Sequence, residues 1–166
     1  RLPATYTLDF PGVVRADIES HLSFRVPGLI TRLPIRVGQP VRKGDVVAQL
    51  DLTRYQNLRD QAKAGLARAS ARQKDAQANF QRESELWKQK IVSKEEFQSA
   101  QATAESAEDE LMLAKKRLSD AERQLSYATL TAPYDGIIAQ KKVHVFETVD
   151  TGQPVALLVD PTNILF

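Results

Sequence analysis

One short pattern is written twice in this chain, on either side of a long stretch of different character. The first copy runs Gly28-Leu29-Ile30, then Val37, Val41 and Gly44-Asp45-Val46-Val47-Ala48-Gln49-Leu50. The second runs Gly136-Ile137-Ile138, then Val145, Val149 and Gly152-Gln153-Pro154-Val155-Ala156-Leu157-Leu158. With Gly28 laid on Gly136, Ile30 meets Ile138, Val41 meets Val149, Gly44 meets Gly152 and Ala48 meets Ala156, all without a gap. Short apolar runs punctuated by turn glycines are strands, and an ungapped duplication of them means two copies of one β unit. Each copy is too small to bury its own apolar face, so the two must close one core together. Whatever separates them is an insertion carried by a two-halved β domain.

The segments outside the repeat follow the same reading. Residues 6–26 alternate loosely through Tyr6, Leu8, Phe10, Val13, Ile18, Leu22, Phe24 and Val26. They predict two strands, broken near Pro11-Gly12 and at a polar turn from Asp17 to Ser20. In the first copy Leu29 to Leu33 and Val46 to Leu50 read as strands, with a short strand and turn over Val37 to Val41. After the insertion, Thr129 to Gly136 reads as a strand, a proline stop and a turn. The chain opens at Arg1 in mid-pattern and stops at Asn163-Ile164-Leu165-Phe166 as a strand begins, which reads as a piece of something longer.

From about Leu52 the period changes. Through Ala128 there is one glycine, no proline and heavy use of Ala, Gln, Lys, Arg and Glu, all good helix formers. Phe97, Ala104, Leu111, Leu118 and Leu125 hold one seam position of a heptad, and Ala100, Ala107, Ala114, Ala121 and Ala128 hold the other. In the first half Leu66, Phe80 and Trp87 alternate with Ala62, Ala69 and Ala76, with Gln73 as the polar exception. Large residues on one row and alanine on the other suit two helices packed closely along a coiled-coil stripe. Ser93 followed by Glu96 is a capping box, and Val92 with Phe97 stands at the staple positions, so a second helix starts at Ser93. The insertion is therefore an antiparallel helical hairpin with its tip at about residues 88–93. At ~1.5 Å per residue each arm of about 36 residues extends roughly 54 Å, too long to fold back on a small β domain.

Little here can carry chemistry. There is no cysteine, hence no thiolate nucleophile, disulfide or Cys-based metal site. His21 and His144 lie in strand-like segments without ligand spacing, and Met112 is a lone methionine, so no metal site is expected. Glu95-Glu96 and Glu108-Asp109-Glu110 fall on outer helical faces among lysines and arginines, where i,i+4 pairing explains them. Nucleotide loops, nucleophile elbows and P-loops are absent. A net charge of +2 with interspersed signs gives no basic face for nucleic acid. No apolar run approaches the ~18 residues of a membrane span, and no signal peptide opens the chain. An enzyme is not expected.

Val37 to Asp51 resembles the half-motif of lipoyl and biotinyl domains, flattened β-barrels built from two similar halves. Carriers of that type keep a modified lysine in a hairpin between the halves; here the helical hairpin occupies that place, so a carrier role is not expected. A lipoyl-like domain split by a coiled-coil hairpin is similar to the periplasmic adaptor (membrane fusion) proteins of tripartite efflux pumps, of HlyD and RND type. Tyr127 to Ile138 is very like that family's re-entry into the second lipoyl half. Adaptors that dock on a TolC-like outer-membrane channel carry R-x3-L-x6-S around the hairpin tip, and Arg82, Leu86 and Ser93 meet that spacing. The resemblance implies a charged, an apolar and a polar contact, respectively, to the channel's own helical tips. Without it, Ser93 reads as an N-cap, Arg82 as a solvated residue and Leu86 as a neighbour of the seam.

The expectation is thus an α+β chain: a lipoyl/biotinyl-like flattened β-barrel formed by two sequence halves and interrupted by a coiled-coil hairpin. Its parts are partial barrel strands over 1–22, the first lipoyl-like half over 23–51 and the helical hairpin over 52–128. The second half covers 129–160, and a return strand starts over 161–166. Gly28, Gly44, Gly136 and Gly152 mark the lipoyl-like turns. The resemblance implies a periplasmic subunit anchored to the inner membrane by a segment outside this chain. Its partners would be a TolC-like channel, an RND (or ABC-type) transporter and copies of itself in a ring of six. No cofactor is implied. Adaptors of type I secretion systems, heavy-metal efflux adaptors and a structural coiled-coil scaffold are the alternatives.

Overall fold

The computed structural model describes residues 15–16, 19–160 and 164–165. The strand expected over residues 6–14 lies outside them. The elements in order are β1 (Arg15–Ala16), β2 (Glu19–Ser23), β3 (Gly28–Arg32), β4 (Pro40–Val41), β5 (Val46–Leu50), α1 (Thr53–Lys88), α2 (Lys94–Tyr127), β6 (Thr129–Thr131), β7 (Gly136–Lys141), β8 (Thr148–Val149), β9 (Pro154–Val159) and β10 (Ile164–Leu165). They fall into two compact units, one made of Arg1–Leu50 with Thr129–Phe166 and the other of Asp51–Ala128.

In the β unit neither sequence half forms a sheet by itself. One four-stranded sheet runs β2-β9-β7-β4 and the other β6-β5-β3-β8, so each takes two strands from each half. The duplication explains why. In the Gly28-on-Gly136 register β2 corresponds to β6, β3 to β7, β4 to β8 and β5 to β9. Exchanging partners by that rule turns the first sheet into the second. The correspondence holds for individual pairs: Leu22 faces Ala156 as Leu130 faces Ala48, and Ile138 faces Leu158 as Ile30 faces Leu50. It also holds for turn hydrogen bonds. The Gly44 N–H donates to the Ala132 carbonyl at 2.8 Å, and the Gly152 N–H donates to the Phe24 carbonyl at 2.9 Å. A separate antiparallel pair joins β1 to β10.

The inward residues come in matching pairs as well. Ile30 and Ile138, Leu50 and Leu158, Val47 and Val155, and Ala48 and Ala156 are all wholly buried. Burying each of the larger ones contributes roughly 1.5–3 kcal/mol. One pair is unequal: Phe24 fills space on one side where Ala132 stands on the other, and both are buried.

Three expectations shift. Glu19 and Ser20, read as part of a polar turn and grouped with the barrel strands, belong to β2 and pair with Val159 and Leu158 of β9. The alternation that buries Leu22, Phe24 and Val26 starts there, so the lipoyl-like unit begins before residue 23. Val37, part of the repeated pattern, lies in a turn with 63% exposure, and its counterpart Val145 is 40% exposed. The repeat preserves turn geometry at these positions and not core packing. The short strand there is limited to β4, Pro40–Val41.

The glycines opening β3 and β7 are equivalent in sequence but not in surroundings. A Cβ on Gly136 would stand 2.5 Å from the Val159 carbonyl oxygen and 3.0 Å from Leu158 Cδ1, so backbone would have to move. A Cβ on Gly28 would meet Leu50 Cδ1 at 3.2 Å, a side-chain atom that can yield. Gly136→Ala is therefore expected to destabilise the β unit by about 2–3 kcal/mol, in the range of overpacking, and Gly28→Ala by less than half as much. Urea unfolding of the two variants checks the order; equal losses would show that the Val159 backbone gives way easily.

Candidate docking site at the hairpin tip

The hairpin consists of a 36-residue α1 and a 34-residue α2. Along the seam, Ala69 on α1 and Ala100, Ala104, Ala107, Leu111 and Ala121 on α2 are buried. Ala62, Leu66, Ala76, Phe80, Phe97, Ala114, Leu118 and Leu125 are half-buried. Arg72 and Glu110 bridge the two helices at 3.2 Å, both well solvated, an interaction of at most about 1 kcal/mol. At the start of α1, Leu52 provides no side-chain cap, and the Asp51 carboxylate accepts the Thr53 N–H at 2.9 Å instead.

Towards the tip the seam turns aromatic. Phe97 stacks on Trp87 with centroids 5.8 Å apart and an 18° interplanar angle, and Phe80 lies 5.7 Å from Phe97 at 39°. Offset aromatic pairs add about 0.5–1.5 kcal/mol each beyond their buried area. They tie the last turns of α1 to the first turn of α2, so the tip is held by packing on its inner side.

Its outer side is held by backbone hydrogen bonds. The Ile91 N–H donates to the Leu86 carbonyl at 2.9 Å and the Lys90 N–H to the Trp87 carbonyl at 2.9 Å. These are the two bonds of a Schellman C-cap, whose left-handed position normally takes glycine. Here it holds Lys90, at φ 60°. Three residues later the second helix is capped. Ser93 Oγ accepts the Glu96 N–H at 3.2 Å, while Glu96 Oε2 accepts the Ser93 N–H at 2.8 Å and the Ser93 hydroxyl at 2.9 Å. The expected capping box is present, and Lys94–Tyr127 follows it as α2. The hydrogen bonds from the Ser93 backbone and then its hydroxyl hold the Glu96 carboxyl below the usual carboxylate range. The Thr53 backbone N–H does the same, first among its causes, for Asp51.

Arg82 and Leu86 are one helical turn apart on α1 and so share a face. Arg82 is exposed and has no ion pair among the described residues, and Leu86 is half-buried. Ser93 is exposed, but its hydroxyl proton is committed to Glu96; toward a partner its oxygen has only acceptor capacity left. Ile91 was not singled out from sequence. It is 63% exposed, and the bond from its N–H to Leu86 fixes its place in the turn. The signal that could have found it is the Schellman spacing, five residues from Leu86 to the apolar Ile91.

Among the described residues no group of three or more His, Cys, Asp or Glu could hold a metal ion, and no helix is long and apolar enough to cross a membrane. Lipoyl-like turn residues Gly44 and Gly152 adopt φ 91° and 81°, a left-handed conformation that favours glycine, whereas Gly28 and Gly136 open strands.

A family model described as the CzcB-like alpha-helical hairpin domain matches residues 61–120. The chain is 30% identical over 159 residues to multidrug resistance protein MdtA of Proteus mirabilis, covering 93% of this chain and 39% of that protein. It is 31% identical over 164 residues to cobalt-zinc-cadmium resistance protein CzcB of Cupriavidus metallidurans, covering 95% of this chain and 31% of that one. The fold matches that of the membrane fusion protein Spr0693 from Streptococcus pneumoniae R6 with a TM-score of 0.70 and 21% identity, over 91% of this chain and 63% of that one. The split two-sheet unit and its helical hairpin have the architecture of membrane fusion proteins, and the chain's matches in sequence and structure are periplasmic adaptor, or membrane fusion, proteins of efflux pumps. It spans well under half the length of the curated relatives it matches.

Opposite outcomes are expected at the helix caps. Because Glu96 and Asp51 titrate lower in the folded hairpin than in the unfolded chain, their contribution is complete above the unfolded carboxylate range of about 4–4.5. It is lost as pH falls through the lower folded values. The helix melt should hold level from pH 7 to 5 and drop below about pH 4, and Glu96→Gln should flatten the part due to the cap. Ser93→Ala should cost about 1 kcal/mol at neutral pH. In the opposite direction, Lys90→Gly relieves a left-handed non-glycine and should stabilise the hairpin by about 1 kcal/mol. Circular dichroism of the melts reads both; an unchanged or lowered melting point for Lys90→Gly would show that the lysine side chain stabilises the turn.

Proposed function

We propose that this chain is the hairpin-bearing part of a periplasmic adaptor subunit that links an inner-membrane RND-type transporter to a TolC-like outer-membrane channel. Arg82, Leu86 and Ser93 at the tip meet the channel's helical ends. Arg82 offers charge-assisted hydrogen bonds, Leu86 an apolar contact and Ser93 an acceptor oxygen. The subunit binds by shape and charge and performs no reaction. It works as one of six copies in a ring, anchored to the inner membrane through a segment outside this chain. The cycling of the transporter reaches the channel through the ring as a mechanical signal.

The observation that carries this reading is a guanidinium with no ion pair among the described residues and a half-buried leucine on one face of α1, next to a turn locked by a Schellman motif and a capping box. Such a tip is ordered before it meets a partner, which lowers the entropic cost of docking. The similarity to MdtA, named for multidrug resistance, supports drugs as an exported class. The similarity to CzcB keeps metal cations among the exported substrates.

Cysteines placed at Arg82 and Ser93 of the full-length protein, co-expressed with an outer-membrane channel, should crosslink to it several-fold better than one at Lys74 in mid-helix. Equal crosslinking at the three positions would remove the tip as the docking site. Arg82→Asp should abolish efflux-dependent resistance while moving stability by less than about 0.5 kcal/mol, as for other solvated surface positions. Loss of folding instead would make Arg82 a structural residue.

A further inference from the structure

The internal symmetry of the β unit superposes two turns that differ in one decisive residue. Gly38 lies at φ 82° and its counterpart Phe146 at φ 68°. The two make the same hydrogen bond: the Gly38 N–H donates to the Ile138 carbonyl and the Phe146 N–H to the Ile30 carbonyl, each at 2.8 Å. Glycine adopts this left-handed backbone freely, whereas a bulky aromatic is strained in it. Phe146 is 76% exposed, the most exposed large apolar side chain among the described residues, and Val145 and Leu29 near it are exposed as well.

The opposite turn is open and apolar. At Gly38 the space a Cβ would take is open to 4 Å, and Val37 beside it is 63% exposed. Beyond Lys141 and Lys142, which precede Phe146, the charges at the two turns are of opposite sign, with Glu147 also accepting the His144 N–H at 2.9 Å. The Phe146 turn is followed by Glu147 and Asp150, while the Gly38 turn is flanked by Arg36 and, at the position equivalent to Asp150, Arg42. Neither guanidinium has an ion pair among the described residues. Knob and socket also belong to different sheets, since Phe146 bonds to β3 and Gly38 to β7.

We infer that the Phe146 turn of one copy seats on the Gly38 turn of a second copy of this chain. The phenyl ring covers the glycine and Val37, with Asp150 and Glu147 facing Arg42 and Arg36. A contact between two different surfaces of the same chain is heterologous, the kind that closes rings. Its apolar centre and charged rim give it the anatomy of a specific interface. The inference deepens the ring proposed above and rests on it.

The test uses the full-length protein in cells, with cysteines introduced into a chain segment that has none of its own. A variant carrying both Phe146→Cys and Val37→Cys should give a ladder of crosslinked species beyond the dimer, and neither single variant should. Crosslinking by Phe146→Cys alone would overturn the inference, because the turn would then meet its own copy. No crosslinking in the double variant would overturn it as well. Phe146→Gly supplies an independent reading: it should raise the melting temperature yet weaken self-association at least tenfold in sedimentation, and unchanged association would sink the proposal. Arg42→Asp and Asp150→Arg should each weaken association and together restore it. The tip crosslinks to the channel report on docking separately, so a failure here leaves that reading standing, and the reverse.

Discussion

The structure depends on strands that cannot be satisfied within their own half of the sequence. β5, from the first half, is flanked by β3 of the same half and β6 of the other; β9 sits between β7 of its own half and β2 of the first. Every sheet therefore needs both halves, and every buried pair from Ile30 with Ile138 to Val47 with Val155 draws one residue from each. The backbone hydrogen bonds enforce the same rule at the turns, where Gly44 reaches across to Ala132 and Gly152 to Phe24. A unit joined in this way tolerates a long insertion between its halves, because its integrity comes from pairing across the insertion and not from the connection itself.

The hairpin obeys a different economy. Its contacts are local, its core is a thin seam of alanines with a few large residues, and its surface pairs are solvated and weak. What distinguishes it is the concentration of order at one end. Three aromatic rings, a Schellman cap and a capping box converge within the residues from Phe80 to Phe97. A helix end would otherwise fray, since its last carbonyls and first N–H groups lack partners. Here most of those groups are satisfied, which is what a surface that must keep its shape requires.

Much of this was legible in the residues because the signals were periodic or chemically specific. The glycine-punctuated repeat predicted a two-halved β unit, the heptad predicted the seam, and Ser93 with Glu96 predicted the start of α2 to the residue. Strand partners were not legible: alternation says which face of a strand is buried but not which strand lies beside it, so the exchange between halves came only from the structure. Val37 and Val145 were misleading since an apolar residue repeated in register looks like core, although here the turn was repeated. Glu19 and Ser20 looked like a turn because polar residues on the exposed edge of a strand resemble loop. Lys90 and Phe146 carry no propensity for a left-handed backbone, so composition gives no warning of either. For Phe146 a warning did exist in the register itself, where a phenylalanine falls on a glycine.

The pairing across the insertion also sets the order of events when the chain is made. The first-half strands emerge early, yet the strands they need are synthesised only after the whole hairpin has followed. Helices joined by local contacts form quickly, whereas sheets assembled from distant segments form slowly. The first half must therefore wait with β5 unpaired on one side while α1 and α2 are already complete. During that interval the second half of a neighbouring chain offers the same hydrogen bonds and the same apolar faces as its own. Exchange of halves between nascent copies is the characteristic misassembly of such an architecture, and an early, rigid hairpin that brings no new β partner is the element least able to promote it.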